Sequence, residues 1–128
     1  MAETFSYATY RLVPQVERGE RINVGVVVFC RPLQFLAARV ALDERRALAL
    51  WPELDLALVR SHLDALVRIA AGDSTAGPIA SLDSTARFHW LVAPASTIIQ
   101  PSRVHTGLCG EPGAELDRLF RELVTRPA

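Results

Sequence analysis

Ile22-Asn23-Val24-Gly25-Val26-Val27-Val28-Phe29-Cys30 is the stretch on which the fold turns. Its β-branched and aromatic residues favour a pleated, half-buried surface, so it predicts a strand. At a period of two, Ile22, Val24, Val26, Val28 and Cys30 fall on one face, and Asn23, Gly25, Val27 and Phe29 on the other. Apolar side chains on both faces toward its end predict a central strand covered on both sides. Gly25 marks either a bulge or a place where another group comes close.

Upstream, residues 5–14 read as a partner strand that Pro14 ends, since proline has no N–H to donate. Ala8, Tyr10 and Leu12 share one face; Tyr7, Thr9 and Arg11 share the other. Glu17-Arg18-Gly19-Glu20 supplies a polar turn, which makes residues 5 to about 31 a β-hairpin. Downstream, the short Arg31–Gln34 turn makes residues 35–42 a third, antiparallel strand. Asp43 is placed to cap a short helix that ends before Pro52. Residues 55–71 repeat Leu56, Val59, Leu63, Leu66, Val67 and Ala70 at helical spacing, with Gly72 just past the end. Residues 72–86 read as a loop, and Arg87–Val92 as a strand or a short helical turn, with an extended or irregular segment favoured. Residues 94–110 read as mostly irregular, with a short strand near Ser102–Thr106. A last helix follows Pro112, with Leu116, Leu119, Phe120, Leu123 and Val124 on its apolar stripe. Strands first and helices later predict an α+β fold: a small antiparallel sheet built on an N-terminal β-hairpin, packed by two or three helices. A length of 128 residues predicts a single domain, 1–128.

Composition narrows the function classes. Half the residues are hydrophobic and 22% are charged, which predicts a packed core rather than disorder. Fourteen basic residues balance fourteen acidic ones, which argues against nucleic acid as a partner. In the last helix Arg118, Arg121 and Arg126 alternate with Glu115, Asp117 and Glu122, the pattern of a solvated face. Every basic residue is arginine; lysine is absent, as the coding bias of a GC-rich bacterial genome would produce. Cys30 and Cys109 form no CxxC pair, and no Cys/His set has zinc spacing, so no metal and no cofactor is expected. The longest apolar run, Val24–Cys30, falls short of the roughly 20 residues of a membrane span, and the first ten residues show no signal-peptide pattern. A cytoplasmic protein is the expectation.

Three stretches carry residues that architecture alone does not require. The first is the hairpin, where Arg11, Asn23 and Gly25 would form a polar notch on one sheet face. The competing reading has Asn23 satisfying backbone at the mouth of the turn. The second is Arg87-Phe88-His89-Trp90, where His89 is either an acid, base or ligand, or a structural hydrogen-bonder. The third is Gln100-Pro101-Ser102-Arg103-Val104-His105-Thr106-Gly107, an irregular segment rich in polar groups. The ligand-binding candidates are therefore Arg11, Asn23, Gly25, Arg87, His89, Gln100, Arg103, His105 and Thr106. No P-loop, GxGxxG, GxSxG or HExxH is present, and no catalytic residue is assigned.

Tyr10-Arg11-Leu12-Val13-Pro14, then Glu17–Glu20 and Asn23–Phe29, resembles the start of a bacterial family catalogued as domain of unknown function 3037. The second half of that family is matched by Arg87–Leu91, Ala93-Pro94, Ser96-Thr97, Gln100 and His105-Thr106-Gly107-Leu108. Ala95 departs from the arginine that the family pattern places there, so no basic role is available at that position. The resemblance implies no activity. It does imply a partner, because members of the family are often encoded beside a kinase-like protein similar to the HipA toxin kinases. Two functions from different classes follow. One is a non-enzymatic protein-interaction or accessory module, its partner a HipA-like kinase or a second copy in a homodimer. The alternative is an enzyme or binding domain for a phosphorylated or nucleotide-like ligand held by arginine and histidine.

Overall fold

A computed structural model describes residues 2–95 and 97–126. Strand β1 spans Glu3–Leu12, β2 Ile22–Cys30 and β3 Phe35–Val40, all antiparallel neighbours. The far edge of β1 is shared by two short strands: β4, Ile99–Pro101, pairs with its end, and β5, His105–Cys109, with its beginning. The result is a five-stranded antiparallel sheet in the order β3-β2-β1, with β4 and β5 end to end along the far edge of β1. Four helices complete the α+β fold: α1 (Glu44–Leu50), α2 (Leu56–Ala71), α3 (Ser84–Leu91) and α4 (Pro112–Phe120). A π turn, Arg121–Thr125, continues α4.

Helices cover both faces of the sheet. On one face Ala8, Tyr10, Leu12, Val27 and Phe29 pack against Val59, Leu63 and Leu66 of α2 and Phe88 and Leu91 of α3. On the other, Phe5, Val26, Val28 and Cys30 pack against Leu116 and Leu119 of α4 and Val124 of its π turn. Val27 and Val28 are both fully buried, as the apolar run on β2 requires of a central strand.

The uninterrupted alternation expected along β2 does not hold. The register slips between Tyr10, opposite Gly25, and Arg11, opposite Asn23, leaving Val24 as an extra residue. This bulge inverts the faces on either side of it. Ile22 and Val24 therefore join the α2–α3 core with Val27 and Phe29, while Val26, Val28 and Cys30 join the α4 core. Gly25 is the reason the bulge fits. A Cβ there would lie 2.9 Å from Val40 Cγ1, 3.1 Å from the Arg39 carbonyl and 3.3 Å from the Tyr10 ring.

Two further expectations are corrected. Arg87–Val92 is not extended: Asp83 accepts from the Ala86 N–H at 2.8 Å and starts α3, which buries Phe88 and Leu91 one turn apart. Residues 94–110 are more regular than expected, and Ser102 lies between two strands rather than within one. The Asp43 cap, the α2 stripe and Gly72 at φ 75° fall where their sequence signals predict, and Asp55 accepts from the Leu58 N–H to cap α2.

Candidate functional site

β1 brings the hairpin and the distant polar segment together. Arg11 sits in register between Asn23 on β2 and Gln100 on β4. Directly opposed residues share a sheet face, so these three form one cross-strand row. Two rows back along the same face, Tyr7 lies opposite His105, and their rings stack with centroids 5.2 Å apart. Phe5 continues the stack, 5.9 Å from Tyr7, over Gly107, where a Cβ would stand 2.9 Å from its ring. The Arg11 and Tyr7 rows are about 13 Å apart, four residues at roughly 3.3 Å each. Ser102 fastens the gap between β4 and β5. Its N–H donates to the Thr9 carbonyl at 2.7 Å, and its Oγ accepts from the Thr9 N–H at 2.9 Å.

Helix α4 and the π turn cover the β2 and β3 side of this face and Phe5 at the start of β1, and leave the Tyr7–Arg11 stretch of β1 open, with Thr9 buried between those two side chains. Tyr7, Arg11 and Gln100 are half-buried there, and His105 and Arg103 are exposed. Among the described residues the Arg11 guanidinium has no ion pair and no hydrogen bond. Arg21, just before β2, is near enough to add a second positive charge. Burial first and the Arg21 charge second hold the Arg11 guanidinium below its ordinary pKa. Gln100 Nε2 donates to the Thr97 carbonyl at 2.9 Å, which fixes the amide beside Arg11.

The other candidates lie elsewhere or serve the architecture. Asn23 Nδ2 donates to the Leu123 carbonyl at 3.0 Å, tying the π turn to the sheet rather than satisfying the hairpin turn. Gly25 is buried under Tyr10 and Val40 and lines no notch. Arg87 and His89 are on α3, across the sheet from Arg11 and His105. Arg87 clamps two backbone segments, with Nη1 donating to the Leu82 carbonyl at 2.7 Å and Nη2 to that of Ala70 at 3.4 Å. Its Nε is buried without a partner among the described residues. Thr106 is exposed opposite Ser6, facing away from His105. Ser96, part of the second motif, lies outside the described residues.

Sequence reasoning missed a cavity on the α2–α3 face. It has a volume of about 290 Å³ and lies between Tyr10, His62, Leu66, Trp90 and Pro101. The Tyr10 hydroxyl donates to the Leu91 carbonyl at 3.0 Å beside it. The signal was present in helical spacing, since Val59, His62 and Leu66 share one stripe of α2. Among the described residues no group of three or more His, Cys, Asp or Glu side chains is placed to hold a metal ion, and no helix is long and apolar enough to cross a membrane.

A family model described as "Protein of unknown function (DUF3037)" matches residues 7–124. No curated protein and no solved structure matches the chain.

Proposed function

The chain belongs to the DUF3037 family, whose description carries no activity, and from that premise we propose that it is a recognition module acting on a protein partner through the open half of the sheet around β1. The carrying observation is Arg11. It is a half-buried guanidinium with no counter-charge among the described residues, set beside Arg21 and framed by the fixed Gln100 amide. Lowering a cation into a surface without a counter-charge is unfavourable, and a partner carrying acidic groups would offset that cost. The Tyr7–His105 stack adds a rigid aromatic anchor of the kind that dominates interface energetics. Binding fits this geometry better than catalysis. His62, His89 and His105 sit on separate elements, and among the described residues none hydrogen-bonds a carboxylate, hydroxyl or thiol. A HipA-like kinase is the partner candidate, and cytoplasm the compartment in which the two would meet.

The test is capture from native host lysate by the wild-type chain and by an Arg11→Glu, His105→Ala double variant. Both side chains reach solvent, so the variant should fold. A stoichiometric partner held by the wild type and lost by the variant supports the proposal. Recovery of chaperones alone, or equal capture by both, sinks it.

The same observations favour one second reading. A phosphorylated, nucleotide-like ligand could set its phosphate between Arg11 and Arg21 and lay its base on Tyr7 and His105, at a span of about 13 Å. A nucleotide at 100 times its dissociation constant should then add roughly 2.7 kcal/mol of stability in a thermal-shift screen. No shift with any nucleotide leaves the protein-partner reading in place.

A further inference from the structure

The cavity on the α2–α3 face is separate from the open face and has its own chemistry. Its floor is the register pair Tyr10 and Pro101, its walls are His62 and Leu66 of α2 with Trp90 and Leu91 of α3, and Ala93, Pro94, Ala95 and Thr97 form its rim. Two flat aromatic rings and two proline rings border it, a lining suited to a planar body. None of its eleven lining residues is Arg, Lys, Asp or Glu.

Two polar groups in the lining are unspent. His62 makes no hydrogen bond among the described residues, and neither does the half-exposed Trp90 indole N–H. The Tyr10 hydroxyl, by contrast, is committed to Leu91. Half-burial holds the His62 pKa below its ordinary value of 6.5, so at neutral pH the imidazole is uncharged and offers one donor and one acceptor. An ion entering here would lose its hydration and find no opposite charge. A neutral molecule would lose little. The volume of about 290 Å³ lies at the lower limit for ligand pockets, which start at roughly 300 Å³, and suits a single ring system.

We propose that this cavity binds a neutral, planar heteroaromatic small molecule, laid against the Trp90 indole and hydrogen-bonded to His62.

Nicotinamide and indole serve as neutral probes, and nicotinate as the charged isostere, in a backbone-amide NMR titration at pH about 7.5. Binding of fragments this small is expected in the millimolar range. Both neutral probes should shift the signals of His62, Leu66, Leu91 and Thr97 together with the Trp90 indole, and nicotinate should bind this cavity at least about tenfold more weakly. His62→Phe keeps a flat ring but removes the hydrogen bonds, and should weaken nicotinamide by about tenfold. Thr97→Trp, at an exposed rim position, should block both probes and keeps the proposal testable if the His62 variant fails to fold. The proposal is overturned by no cavity shifts up to about 10 mM, by equal nicotinate binding at the cavity, or by probes indifferent to both variants. A proline decamer displacing the probes would equally overturn it, since that would make the cavity a peptide groove.

Discussion

Gly25 and His62 show how single positions carry consequences beyond their size. Gly25 is constrained by space rather than by backbone torsion. A methyl group there meets a β-branched side chain at 2.9 Å and a backbone carbonyl at 3.1 Å, neither of which can swing aside. Gly25→Ala should therefore lower stability by about 1–3 kcal/mol, read as a shift in urea midpoint without a change in slope. Glycine in a strand was legible as a bulge or a close approach, and it is both. Which of the two governs could not be read, because Tyr10 and Val40 reach Gly25 only through strand pairing. His62 acts through protons. Its folded pKa lies below 6.5 because burial disfavours the charged ring. As pH falls through 6.5 the unfolded chain takes up a proton that folded His62 resists, so the unfolded state is favoured. The His62 contribution to stability should be level above about pH 7.5 and decline on the acid side. Denaturant melts of wild type and His62→Phe between pH about 5 and 8 check this, and the variant should lack that part of the slope.

Among the elements, the C-terminal helix depends on a side chain a hundred residues away. Asn23 Nδ2 donates to the Leu123 carbonyl inside the π turn, where i→i+5 pairing has displaced the regular ladder. The displacement also turns Leu123 outward, to 36% exposure, although its i, i+3, i+4 spacing assigns it to the core stripe. Asn23→Ala should release this end while leaving the sheet intact. Hydrogen exchange over residues 121–126 should quicken markedly, with a global loss of only about 1 kcal/mol. Equal deprotection of β2 would show instead that Asn23 holds the strand. Elements with strong local signals were legible: the β1–β2 hairpin, the α2 stripe with Gly72 past its end, and the Pro112 start of α4. Helix α3 was not, because it buries only Phe88 and Leu91 and its Phe88-His89-Trp90 run has the composition of a strand. Asp83 was the one local clue to it. Strands β4 and β5 are too short to show a period, and they exist only because β1 offers an unpaired edge.

At the scale of the whole molecule, the sheet carries a separate cluster of buried side chains on each face. Both the site and the stability follow from this arrangement. The candidate row Arg11, Asn23 and Gln100 exists because β1 pairs with β2 on one edge and β4 on the other. Its members were singled out in the sequence, but their meeting depends on the strand order, which no local pattern encodes. The same order places Arg87 and His89 on the opposite face, where they cannot join it. For stability, Val27 faces the α2–α3 core and Val28 the α4 core from adjacent positions of β2, both at 0% exposure. We propose that the chain folds as a single domain in which neither core persists alone, because each needs β2 held flat and paired by the other. Truncating either valine removes two buried methyl groups and should cost about 1–3 kcal/mol. The informative result is where that loss is felt. Trp51 and Trp90 both flank the α2 side, as their places next to α1 and on α3 require, so fluorescence follows one core, while hydrogen exchange in α4 follows the other. Val27→Ala and Val28→Ala should each lower both signals to one common urea midpoint. If Val28→Ala instead loosened α4 while the tryptophan transition stayed at the wild-type midpoint, the sheet would be a partition between two folding units, and the single-domain proposal would fail.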